Sequence, residues 1–170
     1  MTETTPKAAG KPPSASATHQ EHLVRPQHTN ALGSVFGGEV VGWVDIAAAA
    51  CAMRHSQRSV VTASIDAMAF LTPIHVGWVV CLDASVNFAG RTSCEVGVKV
   101  TAFNPVTQER HHTATAYLTF VALDSYGRPT PMPEVLPATD EEKNRYEAAQ
   151  ERRKGRLELK ERLTKRTGGA

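Results

Sequence analysis

The stretch between residues 38 and 55 is almost entirely apolar and contains no proline, and a run of alanines lies at its centre. Because alanine is the best helix former, this stretch predicts a helix. Its apolar side chains fall on every face, so we expect a buried helix, too short and too rich in alanine to span a membrane. The rest of the chain must therefore supply a wall that encloses it.

Downstream of this helix, apolar residues recur at every second position. Three runs, at residues 80–88, 94–102 and 114–122, alternate apolar with polar side chains and are separated by turn residues. This pattern is typical of half-buried antiparallel strands joined by hairpins. Residues 59–70 predict a further strand and residues 22–25 a short one. A curved sheet wrapped around the buried helix, an α+β fold, accommodates all of these elements.

The two ends of the chain differ from this core in composition. Residues 1–20 have almost no apolar bulk and are predicted to be a disordered extension, whereas residues 21–136 form the folded domain. Residues 137–170 are predicted to be a charged helix and tail, with Thr139 as the N-cap and the helix reaching about Leu163. We expect that helix to be solvated, with a partner-facing or phosphate-facing arm as the alternative.

Charge and cysteine content argue against several functions. Ten of the 19 lysines and arginines lie between residues 143 and 166, so the core lacks the basic face of a nucleic-acid-binding domain. Cys51, Cys81 and Cys94 lie in apolar patterns without the spacing of a disulfide framework or a zinc site. They are expected to be small buried residues in a reducing compartment. Because the sequence also shows no secretory leader, we expect a cytoplasmic protein with no membrane attachment.

The histidines do not predict a metal site. His111 and His112 are adjacent, so on a strand they point to opposite faces and cannot chelate one ion. His55 and His75 lie near the ends of predicted elements, where an exposed histidine is the default expectation.

One carboxylate interrupts the apolar helix. Val41, Ala48 and Ala49 lie one turn to either side of Asp45, so its side chain cannot easily avoid partial burial. A buried charge is costly unless it is paired or hydrogen-bonded. Asp45 alone supports two interpretations equally: a core aspartate satisfied by backbone N–H groups or an arginine, or a functional carboxylate facing a cleft.

The segment before the helix favours a functional carboxylate. Asn30 supplies an amide, and glycines follow at Gly33, Gly37 and Gly38. Unpaired N–H groups at a helix N-terminus can stabilise an oxyanion, and glycine lets a ligand approach the backbone closely. A tight strand-to-helix connection is the competing explanation for the glycines. The spacing of Asn30 and Asp45 around a glycine turn is more specific than either residue alone.

These motifs resemble a known family. The matching positions are Asn30-x-x-Gly33-x-x-Phe36-Gly37-Gly38, Asp45, Val60-Val61-Thr62-x-x-x-Asp66-x-Met68-x-Phe70-x-x-Pro73-Ile74, Val76-Gly77, Gly90-Arg91-Thr92-Ser93 and Thr119-Phe120-Val121-Ala122. Over residues 22–163 the chain resembles the hot-dog-fold acyl-coenzyme A (acyl-CoA) thioesterases of the YciA and brain acyl-CoA hydrolase type. The resemblance implies a hot-dog fold, in which a curved antiparallel sheet wraps a long central helix, here followed by a C-terminal charged helix.

The resemblance also implies an activity, hydrolysis of acyl-CoA to a free carboxylic acid and CoA, with CoA as part of the substrate and no cofactor. Asp45 would act as a general base toward water or, as the less favoured alternative, as a nucleophile. Asn30 would orient the water or the thioester. The backbone N–H groups of Gly38 and Gly37 would bind the carbonyl oxygen.

Four further residues are expected on the substrate side. Thr62 and Ser64 alternate on one side of a regular strand and could place hydroxyl groups near the site, although ordinary polar strand residues are the better explanation. Arg91 and Ser93 lie in a Gly-Arg-Thr-Ser turn that resembles a segment near the phosphates of CoA, which an arginine suits. A solvated turn arginine is an equally good explanation.

Sites of this family usually lie between two protomers. The resemblance therefore implies at least a dimer, or a trimer of dimers, in which Asn30 and Asp45 can come from different chains. Long strands with uncovered edges point the same way. A non-catalytic acyl-CoA sensor on the same fold is the alternative function. A hot-dog dehydratase is disfavoured because the helix contains no histidine before His55.

Overall fold

The computed structural model describes residues 9–166. The elements within this range are β1 (Thr18–Leu23), α1 (Gly37–Ser56), β2 (Ser59–Ile65), β3 (Val79–Ala89), β4 (Ser93–Phe103), β5 (Arg110–Leu123) and α2 (Asp140–Arg166), with short 3-10 turns at Pro13–Ala15 and Pro26–His28. All strand pairs are antiparallel, and the strand order β1-β3-β4-β5-β2 makes β1 and β2 the two edges of one sheet.

The core lies between α1 and one face of this sheet, which we call the inner face. Alternate residues of the three central strands point toward the helix and are almost completely buried: Val80, Leu82, Ala84, Val86, Cys94, Val96, Val98, Val100, Ala102, Ala114, Ala116, Leu118, Phe120 and Ala122. Burying one valine or leucine side chain contributes about 1.5–3 kcal/mol. The predicted α+β hot-dog architecture, a long helix wrapped by a curved antiparallel sheet with a charged C-terminal helix, is therefore confirmed.

One expectation for α1 is wrong. The helix is not covered on every face, since Ile46 is 60% and Met53 45% exposed on a stripe that also contains Gly42 and the half-buried Asp45. A single sheet can cover only one side of a helix. The stripe therefore stays open within one protomer.

The N-terminal segment corrects another prediction. Residues 9–20 are folded: Lys11 exchanges backbone hydrogen bonds with Glu134 and Leu136, and β1 begins at Thr18 rather than at residue 22. The segment has few apolar residues, but hydrogen bonds to distant parts of the chain hold it in place. The expectation of disorder for residues 1–8 lies outside the described residues.

His55 is another departure, because it is fully buried rather than exposed. Its Nδ1 lies 3.2 Å from the hydroxyl of Ser16 and its Nε2 3.1 Å from the carbonyl oxygen of Pro133. Burial is the main cause of a lowered pKa for this imidazole. His55 thus connects the end of α1 to the N-terminal segment and to the chain after β5. His75 is exposed, as expected.

The three cysteines are free and buried, as predicted. Burial raises the pKa of Cys51 to about 12 and raises that of Cys94 as well, so both thiols stay protonated. Within residues 9–166, neither helix combines the length and the apolar character needed to cross a bilayer.

The opposite, outer face of the sheet is covered in part by α2. Thr139 caps this helix, as predicted: its Oγ1 accepts a hydrogen bond from the N–H of Glu142. Ala149 is buried, and the ring of Tyr146 packs edge-on against Phe88 of β3. The interface also contains buried ion pairs.

Glu95 of β4 is the centre of that ionic interface, with only 2% of its side chain exposed. Arg152 binds its Oε1 at 2.7 Å and Arg156 binds its Oε2 at 2.9 Å, while Arg156 also reaches Asp66 at 2.6 Å. The Arg152 guanidinium lies over the ring of Tyr117 at 3.6 Å from its centroid. The expectation of a solvated α2 is therefore wrong for these two arginines, because a buried carboxylate on the sheet requires them.

We predict that replacing both arginines (Arg152→Ala with Arg156→Ala) lowers the free energy of unfolding by about 3–5 kcal/mol, because Glu95 stays buried without a counter-charge. Urea denaturation followed by circular dichroism measures this loss. Arg162→Ala, an exposed position on the same helix, is the matched control and should change stability by less than about 0.5 kcal/mol. Superimposable unfolding curves for the double variant and the wild type would contradict the role given to Glu95.

Candidate active site

Asp45 lies on the open stripe of α1 and contacts the edge strand β2. Thr62 donates a hydrogen bond from Oγ1 to Oδ1 of Asp45 at 2.8 Å. No other side chain among residues 9–166 hydrogen-bonds or pairs with this carboxylate, so Oδ2 is free to accept a proton. Neither an arginine nor a set of backbone N–H groups satisfies Asp45 in the described chain. This arrangement favours the functional interpretation over a satisfied core aspartate.

A β-bulge separates Thr62 from Ser64. Thr62 pairs with Phe120, whose side chain faces the core, whereas Ser64 pairs with the next residue of β5, Thr119, and the extra residue Ala63 has no partner. An extra residue in one strand reverses the faces that follow it. Thr62 therefore faces α1 and Ser64 faces the outer side, so the expectation that both hydroxyls share one side is wrong.

The N-terminus of α1 has unused backbone donors. The helix begins at Gly37, its N-cap Phe36 provides no side-chain acceptor, and the N–H groups of Glu39 and Val40 donate to the Phe36 carbonyl. The N–H groups of Gly37 and Gly38 have no partner among the described residues. A Cβ atom on Gly38 would meet nothing within 4 Å, so the space beside it is open. These N–H groups could hold a carbonyl oxygen.

Gly38 and Asp45 lie on the same stripe, two turns apart. At about 1.5 Å of rise per residue, roughly 10 Å of helix axis separates them. A thioester carbon must lie about 3 Å from both the base-bound water and the oxyanion donors. One protomer therefore does not bring Gly38 and Asp45 to the same reacting carbon.

Asn30 is engaged within its own loop. Its Oδ1 accepts the N–H groups of Leu32 at 2.9 Å and Ser34 at 3.3 Å, and its Nδ2 donates to the Ser34 hydroxyl. Gly33 adopts a φ of 73° in this turn, which glycine tolerates best. Within one protomer, Asn30 makes no hydrogen bond to Asp45.

The remaining predicted residues lie elsewhere. Ser64 and Ser93 line one groove of about 680 Å³ on the outer face, together with Arg156, Leu157 and Lys160 of α2. The sequence favours a solvated α2 over a partner-facing or phosphate-facing arm, because charged helix residues carry no signal that distinguishes a groove wall from a solvated face. Arg91 is exposed in the turn before β4, and its guanidinium has no partner among residues 9–166.

An exposed apolar surface surrounds Asp45. It consists of Ile46 and Met53 on α1 and of Ile65 on β2, each at least 42% exposed. Because β2 is an edge strand, its outer backbone groups are also unpaired within the sheet. A surface with apolar side chains and a free strand edge is typical of a protein–protein interface.

Comparison with known sequences is consistent with this site. Residues 32–108 match the thioesterase superfamily. The chain is 46% identical over 119 residues to an uncharacterized acyl-CoA thioester hydrolase, YkhA of Bacillus subtilis, and this match covers 70% of this chain and 69% of that relative. It is 39% identical over 115 residues to the acyl-CoA thioester hydrolase YciA of Salmonella typhimurium, covering 65% and 86%. The human cytosolic acyl coenzyme A thioester hydrolase is 37% identical over 129 residues, 74% of this chain and 34% of that protein.

Solved structures of acyl-CoA thioesterases have the same fold as this chain. An apo-hexameric acyl-CoA thioesterase matches with a TM-score of 0.86 and 43% identity, covering 89% of this chain and 97% of the other. An acyl-CoA hydrolase of Staphylococcus aureus in complex with butyryl-CoA, CoA and CoA disulfide matches with a TM-score of 0.83 and 37% identity, covering 93% and 98%. Structures of three variants of that hydrolase, in which an aspartate, a threonine or an asparagine is replaced by alanine, match this chain with TM-scores of 0.81–0.85.

The family resemblance carried by the glycine-turn and strand motifs is thus confirmed by sequence identity along most of the chain and by the fold. The chain belongs to the thioesterase superfamily, among the hot-dog-fold acyl-CoA thioester hydrolases.

Proposed function

We propose that this protein hydrolyses acyl-CoA to a carboxylic acid and CoA at a site centred on Asp45. The observation that carries the proposal is the Thr62–Asp45 hydrogen bond of 2.8 Å on an otherwise apolar open surface. Thr62 holds one carboxylate oxygen, which leaves the other to take a proton from water as that water attacks the thioester. A thioester has a good leaving group, so a base and an oxyanion site suffice.

The site is completed by a second copy of the chain. Asp45 is about two helix turns from the N–H groups of Gly38, and Asn30 is held in its own loop. Two α1 helices that run antiparallel across a two-fold axis would bring the Gly38 end of one helix toward Asp45 of the other. The apolar stripe of α1 and the edge of β2 supply the surface for this contact. We therefore assign Asp45 and Thr62 to one protomer, and Asn30, Gly37 and Gly38 to its partner.

The Staphylococcus aureus variants support these assignments. The replaced aspartate, threonine and asparagine are spaced along that chain as Asp45, Thr62 and Asn30 are spaced along this one. The asparagine variant of that hydrolase was solved in complex with CoA. An Asp45 carboxylate acting as a general base is the preferred mechanism, and direct attack to give a mixed anhydride is the alternative.

The CoA moiety is assigned to the surface beyond the thioester. Arg91 has an unpaired guanidinium suited to phosphate, and Ser64 and Ser93 line one groove with α2. A molecule as long as CoA could pass around the β2 edge from the Asp45 side to this groove. The three buried cysteines form no disulfide, which supports a reducing, cytoplasmic location. Hexameric relatives support a trimer of such dimers.

We predict that Asp45→Asn lowers kcat by about 10²–10⁴-fold without unfolding the protein, since it removes the base and keeps the shape. Asn30→Ala should cause a smaller loss. Thiol release from palmitoyl-CoA and a short-chain acyl-CoA measures both. Equal turnover by Asp45→Asn and the wild type would refute the catalytic assignment. A wild type that binds acyl-CoA tightly without turnover would favour the alternative, a non-catalytic sensor.

A second prediction isolates the Thr62 hydroxyl. Thr62→Val keeps the shape of the side chain and deletes the donor, so kcat should fall by about 10–100-fold while KM changes little, as expected for a lost hydrogen bond to a charged group. Thr62→Ser keeps the donor and serves as the matched control. If the valine and serine variants are equally active, Thr62 does not position the carboxylate.

The shared site predicts complementation. Co-expressed Asp45→Asn and Asn30→Ala chains, purified as mixed oligomers through two different tags, should be more active than the average of the two parent variants. One site in each mixed dimer then combines an intact Asp45 with an intact Asn30. Activity no higher than that average would place both residues in the same protomer.

A further inference from the structure

The outer face of the β1–β3 pair carries a second cluster of reactive side chains, far from Asp45. His19 pairs across the two strands with Asp83, and Glu21 pairs with Cys81. Residues two apart on a strand point to the same face, so all four side chains meet on one surface. This surface belongs to the edge opposite β2, and none of its residues takes part in the proposed hydrolysis.

Three of these residues converge on one point. The Nε2 of His19 lies 3.3 Å from Oε1 of Glu21, and the Sγ of Cys81 lies 3.7 Å from the same oxygen. The three ligand atoms are all within 4.8 Å of one another. A metal ion with bonds of about 2.0–2.3 Å to nitrogen, oxygen and sulfur requires ligand atoms at roughly this separation.

The orientation of His19 is the independent observation that points to a metal. Its Nδ1 lies 2.7 Å from Oδ1 of Asp83, which leaves Nε2 directed at Glu21 and Cys81. Imidazoles that ligate metals nearly always donate the other ring N–H to a carboxylate, which fixes the tautomer and the ring. The cluster thus contains both the ligands and the group that positions one of them.

We propose that His19, Glu21 and Cys81 form a binding site for a divalent transition-metal ion of borderline softness, Zn²⁺ in particular. Thiolate, imidazole and carboxylate together match the ligand preference of Zn²⁺, with water as the fourth ligand. Binding releases the thiol proton of Cys81 to solvent, and the sulfur–metal bond replaces the S–H bond. Asp83 is a positioning residue that acts through His19.

The charged surroundings determine how binding depends on pH. Burial raises the pKa of the Cys81 thiol and the Glu21 carboxylate raises it further, whereas Arg110 lowers it. Hydrogen bonds to Asp83 and Glu21 raise the pKa of His19. Because the metal must displace protons from both groups, its affinity increases as pH rises. Without metal, a protonated His19 bridging two carboxylates is the competing explanation of the cluster.

Co²⁺ titration of the untagged, full-length protein tests the site, because cobalt bound to a thiolate gives a near-ultraviolet charge-transfer absorption. We expect about one equivalent per chain, displacement by Zn²⁺, tighter binding at pH 8 than at pH 6, and a higher Tm with metal. Cys81→Ser should abolish the absorption, and Asp83→Asn should weaken affinity by about 10–100-fold.

The control is His111→Ala. It removes a histidine whose Nε2 lies 2.8 Å from the carboxylate of Glu109, in a pair that contains no cysteine. This variant should leave metal binding unchanged. Absence of the charge-transfer absorption in folded wild type, its persistence in Cys81→Ser, or an equal loss in His111→Ala would each overturn the proposal. If Cys81→Ser does not fold, the exposed variants His19→Ala and Asp83→Asn decide, since retained wild-type affinity in both refutes the site.

Discussion

The packing of α1 against the inner face of the sheet is the contact on which the other features depend. It removes the alternate apolar residues of three long strands from water and fixes which side chains of each strand point outward. Once Val96 and Val98 face the helix, Glu95 and Gly97 must face the other way. The sheet therefore has two chemically distinct faces.

The same packing leaves one side of α1 uncovered. A sheet of five strands cannot enclose a helix completely, so the stripe that contains Gly38, Asp45 and Ile46 stays open beside the edge strand β2. An open apolar stripe and an unpaired strand edge are unfavourable in water, and a second copy of the chain would cover both. The carboxylate lies within that surface. In the proposed site, oligomerisation and catalysis would both follow from this incomplete burial, since a partner that covers the stripe would also exclude bulk water from Asp45.

On the outer face, buried ion pairs accompany the apolar contacts. Glu95 could not remain buried alone, and the two arginines of α2 satisfy it while anchoring the helix. At the β1 edge of the same face, the imidazole, the carboxylates and the thiol of the proposed metal site lie close together. Cross-strand register places these groups, because directly opposed residues in an antiparallel pair have adjacent side chains.

The sequence by itself determined the long helix, the period-two strands, the position of the glycine turn and the identity of Asp45 as an unusual charge, since these follow from local periodicity and composition. Its motifs also identified the family. The tertiary structure decided the features that depend on pairing between residues distant in sequence. The bulge at Ala63 separated Thr62 from Ser64, and the register of β1 brought His19 to Asp83 across 64 positions of sequence. Residues 9–20 looked too polar to fold, yet partners far along the chain order them. Local patterns indicate which residues of a segment must be buried, but only the assembled sheet determines which distant groups those residues contact.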